Sequence, residues 1–393
     1  MSTIQIKRVE SVKALKTFID FHYDLYQGSP YDVPNLYSDE FNTLCKAHNA
    51  AFDFCEAEYF LAYKEGKLSG RVAAIINHKA NATWGRKEVR FGWIDFIDDL
   101  DVSKALLESV EEYGREKGMT HIVGPLGFTD MDPEGMLTWG FDRIGTMATI
   151  YNYDYYPVHM ERLGGWVKDN DYVEYLINVP QEVPEKYAKI AAMVEQRYNL
   201  HVKKLTRKDI FKGGWGRKIF DLINLTYKDL YGFSQLSDRQ IDQYINAYFP
   251  LADLEFITII VDGNKDNAIA GFGITIPSLA KALQKCRRGR LLPFGWWHLL
   301  KAIKFHDTEG VDLMLVGFLP EYRVKGANVL LFSDLIPRYV KHGIKWGESQ
   351  VEMEDNGGVQ SQWTIFDTEN HKRRRCYKKP IANPQTAKQT TQD

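Results

Sequence analysis

Two β-hairpin patterns occur in the chain, one in each half. Phe60–Ile76 has apolar segments on both sides of a polar turn at Glu65-Gly66, and Phe256–Ile276 repeats the arrangement around Asp262-Gly263. Each hairpin follows a region of amphipathic helical pattern and precedes a strand, a helix and a second strand. Alternating strands and helices of this kind predict an α/β (α+β) fold, with layers packed around a mixed sheet.

The repeated order of elements divides the chain into two lobes, 1–180 and 181–380, with the boundary near Pro180–Pro184. The hydrophobic periodicity predicts helices over Val12–Tyr26, Ser38–Asn49, Val102–Lys117, Trp215–Tyr231, Ser237–Tyr248 and Val329–Val340. It predicts further strands over Glu88–Phe96, Thr120–Val123 and Trp346–Asn356. The polar tail 381–393 is predicted to be disordered.

Composition narrows the class of protein. The 393 residues are 44% hydrophobic and 26% charged, with a net charge of −2, which predicts a soluble globular protein with no nucleic-acid partner. The four cysteines have no metal or disulfide spacing, and no metal site is predicted. Met1–Arg8 has no apolar signal core, and no run of about 18 apolar residues exists, so we expect a cytoplasmic protein.

The segment that follows the strand pattern Leu313–Phe318 suits an anionic cofactor. A Pro-Glu-Tyr turn leads into a short loop with Arg323, Lys325 and Gly326, and a helical pattern begins directly after it. Gly326 allows the backbone to approach a ligand, and free N–H groups at a helix start attract negative charge. The alternative is an ordinary strand–turn–helix connection with two basic residues.

This loop and the elements after it resemble the GNAT superfamily of acyl-CoA N-acyltransferases. The family's pyrophosphate loop is Arg/Gln-x-x-Gly-x-Gly/Ala, and here it reads Arg323-Val324-Lys325-Gly326-Ala327-Asn328, with Asn at the last position. The resemblance implies two tandem GNAT-like lobes, as in two-lobed bacterial GNAT-like proteins and Fem-type transferases. It also implies acetyl-CoA or a longer acyl-CoA as donor, bound near the backbone of Val316, Gly317 and Phe318 and near Asn356.

Candidate catalytic residues lie further along the second lobe. If Trp346–Asn356 is one strand, Glu348, Gln350, Glu352 and Glu354 share a face, and that carboxylate row could deprotonate an amine. Glu354 is the first candidate base and Glu348 the second, although a solvated strand face explains the same residues. The family's later tyrosine, the acid for the leaving thiolate, is replaced by Trp363. Tyr377 is the candidate substitute.

The first lobe differs from the second at the corresponding loop. Four acids follow its central strand, Asp95, Asp98, Asp99 and Asp101, and their charge would repel a pyrophosphate. We therefore expect no coenzyme A at this loop. The segment Gly124–Gly135 carries Asp130, Asp132 and Glu134, which could recognise an amine or form a contact between the lobes.

An insertion at 277–306 stands out by charge. No Asp or Glu occurs from Asn267 to His306, while aromatic and leucine residues alternate with seven cations, Lys281, Lys285, Arg287, Arg288, Arg290, Lys301 and Lys304. Three interpretations remain open: extra helices that fill the core, contact with an anionic membrane surface, or a lid over a ligand. Lys372–Arg375 is interpreted as a solvated strand or turn face.

Together these patterns predict an enzyme that moves an acyl group from coenzyme A to a small-molecule or lipid amine. Two alternatives remain: a non-catalytic GNAT-like protein that binds a lipid or a partner, and a Fem-like aminoacyl transferase. The last class ordinarily has a coiled-coil arm, and the chain has no heptad run for one.

Overall fold

The computed structural model describes residues 4–250 and 252–382, so most of the tail predicted to be disordered lies outside the described residues. The strands are β1 (Ile4–Arg8), β2 (Cys55–Lys64), β3 (Lys67–Asn77), β4 (Glu88–Phe96), β5 (His121–Gly124), β6 (Met136–Trp139), β7 (Val167–Asn178), β8 (Leu200–Lys203), β9 (Ile257–Asp262), β10 (Ala268–Pro277), β11 (Gly310–Phe318), β12 (Trp346–Ser349), β13 (Glu352–Met353) and β14 (Thr368–Pro380). The helices are α1 (Val12–Leu25), α2 (Tyr37–Leu44), α3 (His78–Trp84), α4 (Leu100–Glu116), α5 (Tyr155–Leu163), α6 (Glu185–Tyr198), α7 (Arg207–Phe211), α8 (Trp215–Thr226), α9 (Asp238–Tyr248), α10 (Ala280–Gln284), α11 (Gly295–Lys304), α12 (Pro320–Arg323), α13 (Asn328–Lys341) and α14 (Gly357–Gln360). Short 3-10 helices cover Ala50–Asp53, Leu254–Phe256, Gly263–Lys265, Arg287–Gly289 and Trp363–Ile365.

One mixed sheet runs through both lobes in the order β1-β2-β3-β4-β5-β14-β7-β12-β11-β10-β9-β8. The two halves exchange their last strands: β14, from the end of the chain, pairs with β5, and β7, from the first half, pairs with β12. β7 and β14 also pair with each other at the centre of the sheet. The mixed α/β fold with two tandem lobes is therefore confirmed, and the two lobes share one continuous sheet.

Local sequence signals explain where several elements begin and turn. The Ser11 hydroxyl accepts from the Ala14 N–H and caps α1, whose Leu15, Phe18 and Ile19 face the core. The β2–β3 hairpin turns at Glu65-Gly66, where both residues have positive φ. Glycine adopts that geometry without strain, which is why the turn could be predicted.

The predicted strand Trp346–Asn356 is wrong in its extent. The pairing with β7 stops at Glu348 and resumes for two residues in β13. The side chains of Glu348, Gln350, Glu352 and Glu354 therefore share no continuous face. Glu348 is buried, whereas the Glu354 side chain is 40% exposed. From Glu348 to Glu352 this strand advances four residues while β7 advances three, from Leu176 to Val173, so a period-2 argument fails across the break.

The predicted solvated strand face at Lys372–Arg375 is wrong for two of its four residues, Lys372 and Arg374. Lys372 and Arg374 are each 1% exposed, because β14 lies between β5 and β7 at the centre of the sheet. Both cations bond to Glu174 on β7, and Lys372 bonds to Glu348 as well. We call these four residues the central ion cluster. Alternate β14 residues, such as Arg373, remain exposed and explain why the run resembles a surface segment.

Candidate active site

The predicted pyrophosphate loop forms a tight turn between β11 and α13. Arg323 Nε donates to the Phe318 carbonyl at 3.0 Å, which ties the loop to the end of the strand, and Gly326 has a φ of 75°. The Lys325 ammonium lies 4.7 Å from the centroid of the Tyr322 ring. α13 has no side-chain cap at its start, although the N–H groups of Val329 and Leu330 donate to the Gly326 and Ala327 carbonyls.

Lys265 adds a third cation to this loop. Its ammonium lies 5.3 Å from the Tyr322 ring centroid, on the turn that joins β9 to β10. The Tyr322 hydroxyl donates to Asp262 at 2.8 Å and holds the two turns together. Sequence reasoning missed Lys265 because it is distant from the loop in the chain.

The strand backbone near which the acyl donor is expected is already hydrogen-bonded at Val316. The Val316 N–H donates to the Tyr227 hydroxyl at 3.3 Å, and that hydroxyl donates to the Val316 carbonyl at 3.1 Å. Gly317 lies beside the Phe272 and Thr226 side chains. A carbonyl that uses the Val316 N–H must therefore displace Tyr227.

The predicted catalytic residues do not come together. Glu348 belongs to the central ion cluster, while Glu354 accepts from Lys168 at 3.3 Å and from Arg373 at 2.9 Å on the surface. Tyr377 lies opposite Gly124 of β5 and packs in the first-lobe core, as a result of the strand exchange. Asn356 accepts from the Val359 N–H at 3.4 Å and caps α14.

In the first lobe, the helix start that follows β4 is occupied by its own carboxylate. Asp99 caps α4 by accepting from the N–H groups of Asp101 and Val102, and it bonds to Lys64. A phosphate would have to displace this carboxylate, in line with the expectation that coenzyme A does not bind at this loop.

A cavity lies where β4 and β5 diverge in the first lobe. The two strands pair only over Glu88–Arg90 and His121–Val123. A bulge then follows, at which Trp93 has a φ of 45° and the register with β3 shifts. The cavity is lined by the end of β4, the segment that leaves β5, α1 with His22, α2 with Glu40, and the connection between α1 and α2, which carries Asp32.

His22 and Asp95 form the charged centre of this cavity. His22 Nδ1 lies 3.1 Å from Asp95, its Nε2 lies 3.4 Å from Asp32, and Arg71 bonds to Asp95 at 2.7 Å. Burial opposes protonation of His22, but the carboxylates of Asp32 and Asp95 outweigh burial and raise its pKa to about 10. The imidazole is therefore a cation at neutral pH, and both of its ring nitrogens act as hydrogen-bond donors.

Glu40 is a different kind of carboxylate on the same wall. One oxygen accepts from Asn35 Nδ2 at 2.8 Å, and the other accepts from Trp93 Nε1 at 3.0 Å. Both donors are neutral, so they orient the carboxylate without neutralising its charge. Sequence reasoning missed Glu40, His22 and Asp95 as a group, because they come from three separate elements.

The acidic segment Gly124–Gly135 forms a contact between the lobes. Met131 packs against the cluster around Phe233, and Arg90 of β4 donates to the Gly232 carbonyl at 3.3 Å. Burial raises the pKa of Asp132 to about 6 and that of Glu134 to about 7. The inter-lobe contact, one of the two open interpretations, is therefore present, whereas a role in amine recognition stays a prediction.

The insertion forms α10 and α11 and packs partly onto the first lobe. Its buried side chains contact Val33, Leu36, Ile144 and Met147, and Arg288 forms salt bridges with two acids of α1. Large apolar side chains remain exposed at its end: Leu291, Leu292, Phe294, Trp296, Trp297 and Phe305. We call these six residues the apolar tip. Within the described residues, no helix has both the length and the hydrophobicity needed to cross a bilayer.

Comparisons with known proteins place the chain among distant relatives. No family model matches the sequence. The chain is 26% identical over 382 residues to Protein YghO of Escherichia coli (strain K12), and the match covers 93% of both chains. It is 25% identical over 335 residues to a protein of Caulobacter vibrioides (strain NA1000 / CB15N) named bacterial ceramide synthase, with 82% of both chains covered.

Solved structures agree on the fold. A tandem GNAT protein from the clavulanic acid biosynthesis pathway matches 97% of this chain and 99% of its own, with a TM-score of 0.55 and 10% identity. A GCN5-related glucosamine N-acetyltransferase region of a fungal GH3 β-N-acetylglucosaminidase gives a TM-score of 0.54 at 12% identity. That match covers 96% of this chain and 38% of the fungal one. The chain therefore has the tandem GNAT fold that the loop motif and the repeat predicted.

Proposed function

We propose that this tandem GNAT protein transfers an acyl group from coenzyme A to the nitrogen of a lipid-like amine. The observation that carries the donor half of the proposal is the loop between β11 and α13. There, the ammonium groups of Lys325 and Lys265 lie beside the Tyr322 ring, Arg323 ends α12, and α13 begins without a side-chain cap. Cations and free helix ends are the groups that bind pyrophosphates in proteins.

The apolar tip supports a lipid-like acceptor. Leu292 is 76% exposed and Phe294 is 70% exposed, on a segment that carries Arg287 and Arg290 and no acidic residue. Exposed aromatic and leucine side chains among cations suit the interface of an anionic bilayer, from which a long-chain amine could be taken. The relative named bacterial ceramide synthase, although only 25% identical, supports the same class of acceptor.

The donor and the acceptor must meet, and this sets a geometric condition. β11 and β4 are five strand positions apart in the sheet, about 24 Å at a spacing of ~4.8 Å. A donor whose thioester stays beside β11 therefore reacts with an amine in the second lobe. An amine in the first-lobe cavity reacts only if the acyl group is delivered to the opening between β4 and β5.

Calorimetric titration with acetyl-CoA and palmitoyl-CoA tests the donor half of the proposal. We expect palmitoyl-CoA to bind more tightly, because a long acyl chain adds buried apolar area at about 25 cal/mol per Å². If neither acetyl-CoA nor palmitoyl-CoA binds, the result would favour the non-catalytic alternative, a GNAT-like protein that binds a lipid or a partner.

The role of Glu354 as general base can be tested by the change Glu354→Gln. This substitution keeps the shape but cannot accept an ammonium proton, so turnover should fall roughly 10²- to 10⁴-fold while affinity for coenzyme A stays constant. Arg373→Gln is the matched control, because it removes one salt bridge of Glu354 and leaves the carboxylate in place. Equal turnover in wild type and Glu354→Gln would reduce Glu354 to a surface ion-pair residue.

Membrane contact can be measured by sedimentation with phosphatidylglycerol vesicles. The double change Arg287→Ser/Arg290→Ser should reduce the bound fraction, and added salt should mimic it, because ions screen exposed charges beyond about 8 Å at physiological ionic strength. Leu292→Ser/Phe294→Ser should reduce binding even in high salt, since it removes apolar contact. Lys13→Ser/Lys16→Ser, on the exposed face of α1, is the control. If wild-type protein does not sediment with the vesicles at any salt concentration, membrane contact is excluded.

A further inference from the structure

We propose that the first-lobe cavity binds the protonated amino group of the acceptor, and that Glu40 is the carboxylate that holds it. The inference rests on the proposed function, because it names how the amine would be recognised. Since β4 and β11 are five strand positions apart, it requires the acyl group to reach the opening between β4 and β5. It concerns a lobe in which the sequence suggested no binding site apart from the acids of Gly124–Gly135.

The geometry of Glu40 carries the proposal. Its two oxygens are fixed by Asn35 and Trp93, which are neutral donors on either side of the carboxylate. Each carboxylate oxygen can accept a further hydrogen bond, and the charge has no cation against it among the salt bridges of the described residues. A carboxylate held in this way on a cavity wall is suited to an ammonium group, which brings three donors and a positive charge.

The other charges of the cavity are already matched to one another. Asp95 accepts from Arg71, His22 and Tyr26, and Asp32 faces the other nitrogen of His22. With His22 protonated, the cavity has two cations, His22 and Arg71. They face three carboxylates, those of Asp32, Glu40 and Asp95. The cavity therefore has one negative charge in excess, and an anionic ligand is disfavoured there.

The apolar part of the lining suits the chain that follows the amino group. Ile19, Val33, Ile94, Leu126 and Met136 line the cavity together with the polar residues. The insertion packs against the same region at Gly289. The backbone there is so close to Tyr23, a residue of the cavity lining, that an added Cβ would lie 2.7 Å from the Tyr23 hydroxyl.

This contact connects the cavity to the apolar tip, which begins at Leu291, two residues after Gly289. The contact with Tyr23 and the apolar tip therefore belong to one segment of the chain. The class of ligand that the carboxylate and the apolar lining favour is a primary amine with an aliphatic chain.

Calorimetry without acyl-CoA tests the site, with n-octylamine as the probe at pH 7. We expect one octylamine per chain, with n-octanol and trimethyloctylammonium binding at least about tenfold more weakly, because the first has no charge and the second has no N–H donor. Glu40→Gln should lower octylamine affinity roughly ten- to a hundredfold, leave octanol affinity unchanged, and be partly rescued by Glu40→Asp. Glu108→Gln, on the exposed face of α4, is the matched control.

Three outcomes overturn the inference. One is equal binding of the three probes to wild-type protein, which needs no variant and so does not depend on how Glu40→Gln folds. Another is no binding of octylamine, and the third is unchanged octylamine affinity in folded Glu40→Gln. Because no acyl donor is present, a failure of acyl transfer leaves the cavity assignment standing, and a failure of octylamine binding leaves the donor loop untouched.

Discussion

Replacing Glu174 with glutamine is expected to lower the free energy of unfolding by about 3–5 kcal/mol, the usual cost of breaking one side of a buried ion pair. Glu174 is fully buried on β7 and bonds to Arg374 and Lys372, with Lys372 Nζ at 3.1 Å. Glutamine keeps the shape, but it leaves Arg374 without its carboxylate in a dry environment. Urea denaturation followed by circular dichroism measures the change.

The matched control for this experiment is Glu369→Gln. Glu369 lies on the paired strand β14 and forms an exposed salt bridge with Arg143, so its loss should cost no more than about 1 kcal/mol. Similar losses for Glu174→Gln and Glu369→Gln would contradict the view that Glu174 is needed to compensate the buried charges of Lys372 and Arg374.

The pKa of Glu174 predicts how the free energy of unfolding depends on pH. Burial alone would raise the pKa of Glu174, but Arg374 and Lys372 outweigh it and lower the pKa to about 2. A carboxyl whose folded pKa lies below its unfolded value of about 4.3 stabilises the fold above that value. Its contribution is lost as the pH falls from about 4.3 to 2. Wild-type protein should lose more stability over this interval than Glu174→Gln.

The double change Arg323→Glu/Lys325→Glu is expected to weaken coenzyme A binding more than about a hundredfold, since each charge-assisted hydrogen bond contributes about 1.5–3 kcal/mol. We choose these residues over Gly326 because Gly326 has a positive φ, and any side chain there would add backbone strain to the effect of charge. Calorimetry gives both the affinity and the number of sites, which we expect to be one per chain.

Lys208→Glu/Lys212→Glu, on exposed positions at α7, is the control for the same change in net charge. Unchanged affinity in a folded double variant would remove the loop from the donor site. A stoichiometry of two would contradict the argument that Asp99 blocks the first lobe.

Elements whose signals are local could be predicted from the sequence. The boundaries of β4 agree residue for residue, and both hairpins turn where glycine and polar residues predicted. The loop from Arg323 to Asn328 also lies between a strand and a helix, as its motif requires. These features depend on residues close together in the chain, where backbone preferences and hydrophobic periodicity are informative.

Features that depend on distant partners could not be predicted. Lys372 and Arg374 look like surface cations until β7, 200 residues earlier in the chain, brings Glu174 between them. His22 lies on an amphipathic helix, where one polar residue is unremarkable, and Asp95 was assigned to an acidic loop. Only the fold brings the two within 3.1 Å. The candidate cavity therefore has no signature in a single stretch of sequence.

The exchange of β7 and β14 has a consequence for synthesis of the protein on the ribosome. When residues 1–180 have emerged, the open edge of β5 still lacks its partner, which is the last strand of the chain to be made. β7 has meanwhile been made without β12 or β14 beside it. An exposed strand edge can pair with other chains and cause aggregation. We therefore expect the nascent first half to bind chaperones until the second half has been made. For the same reason, neither half should be soluble when expressed alone, whereas the two halves expressed together should complement each other.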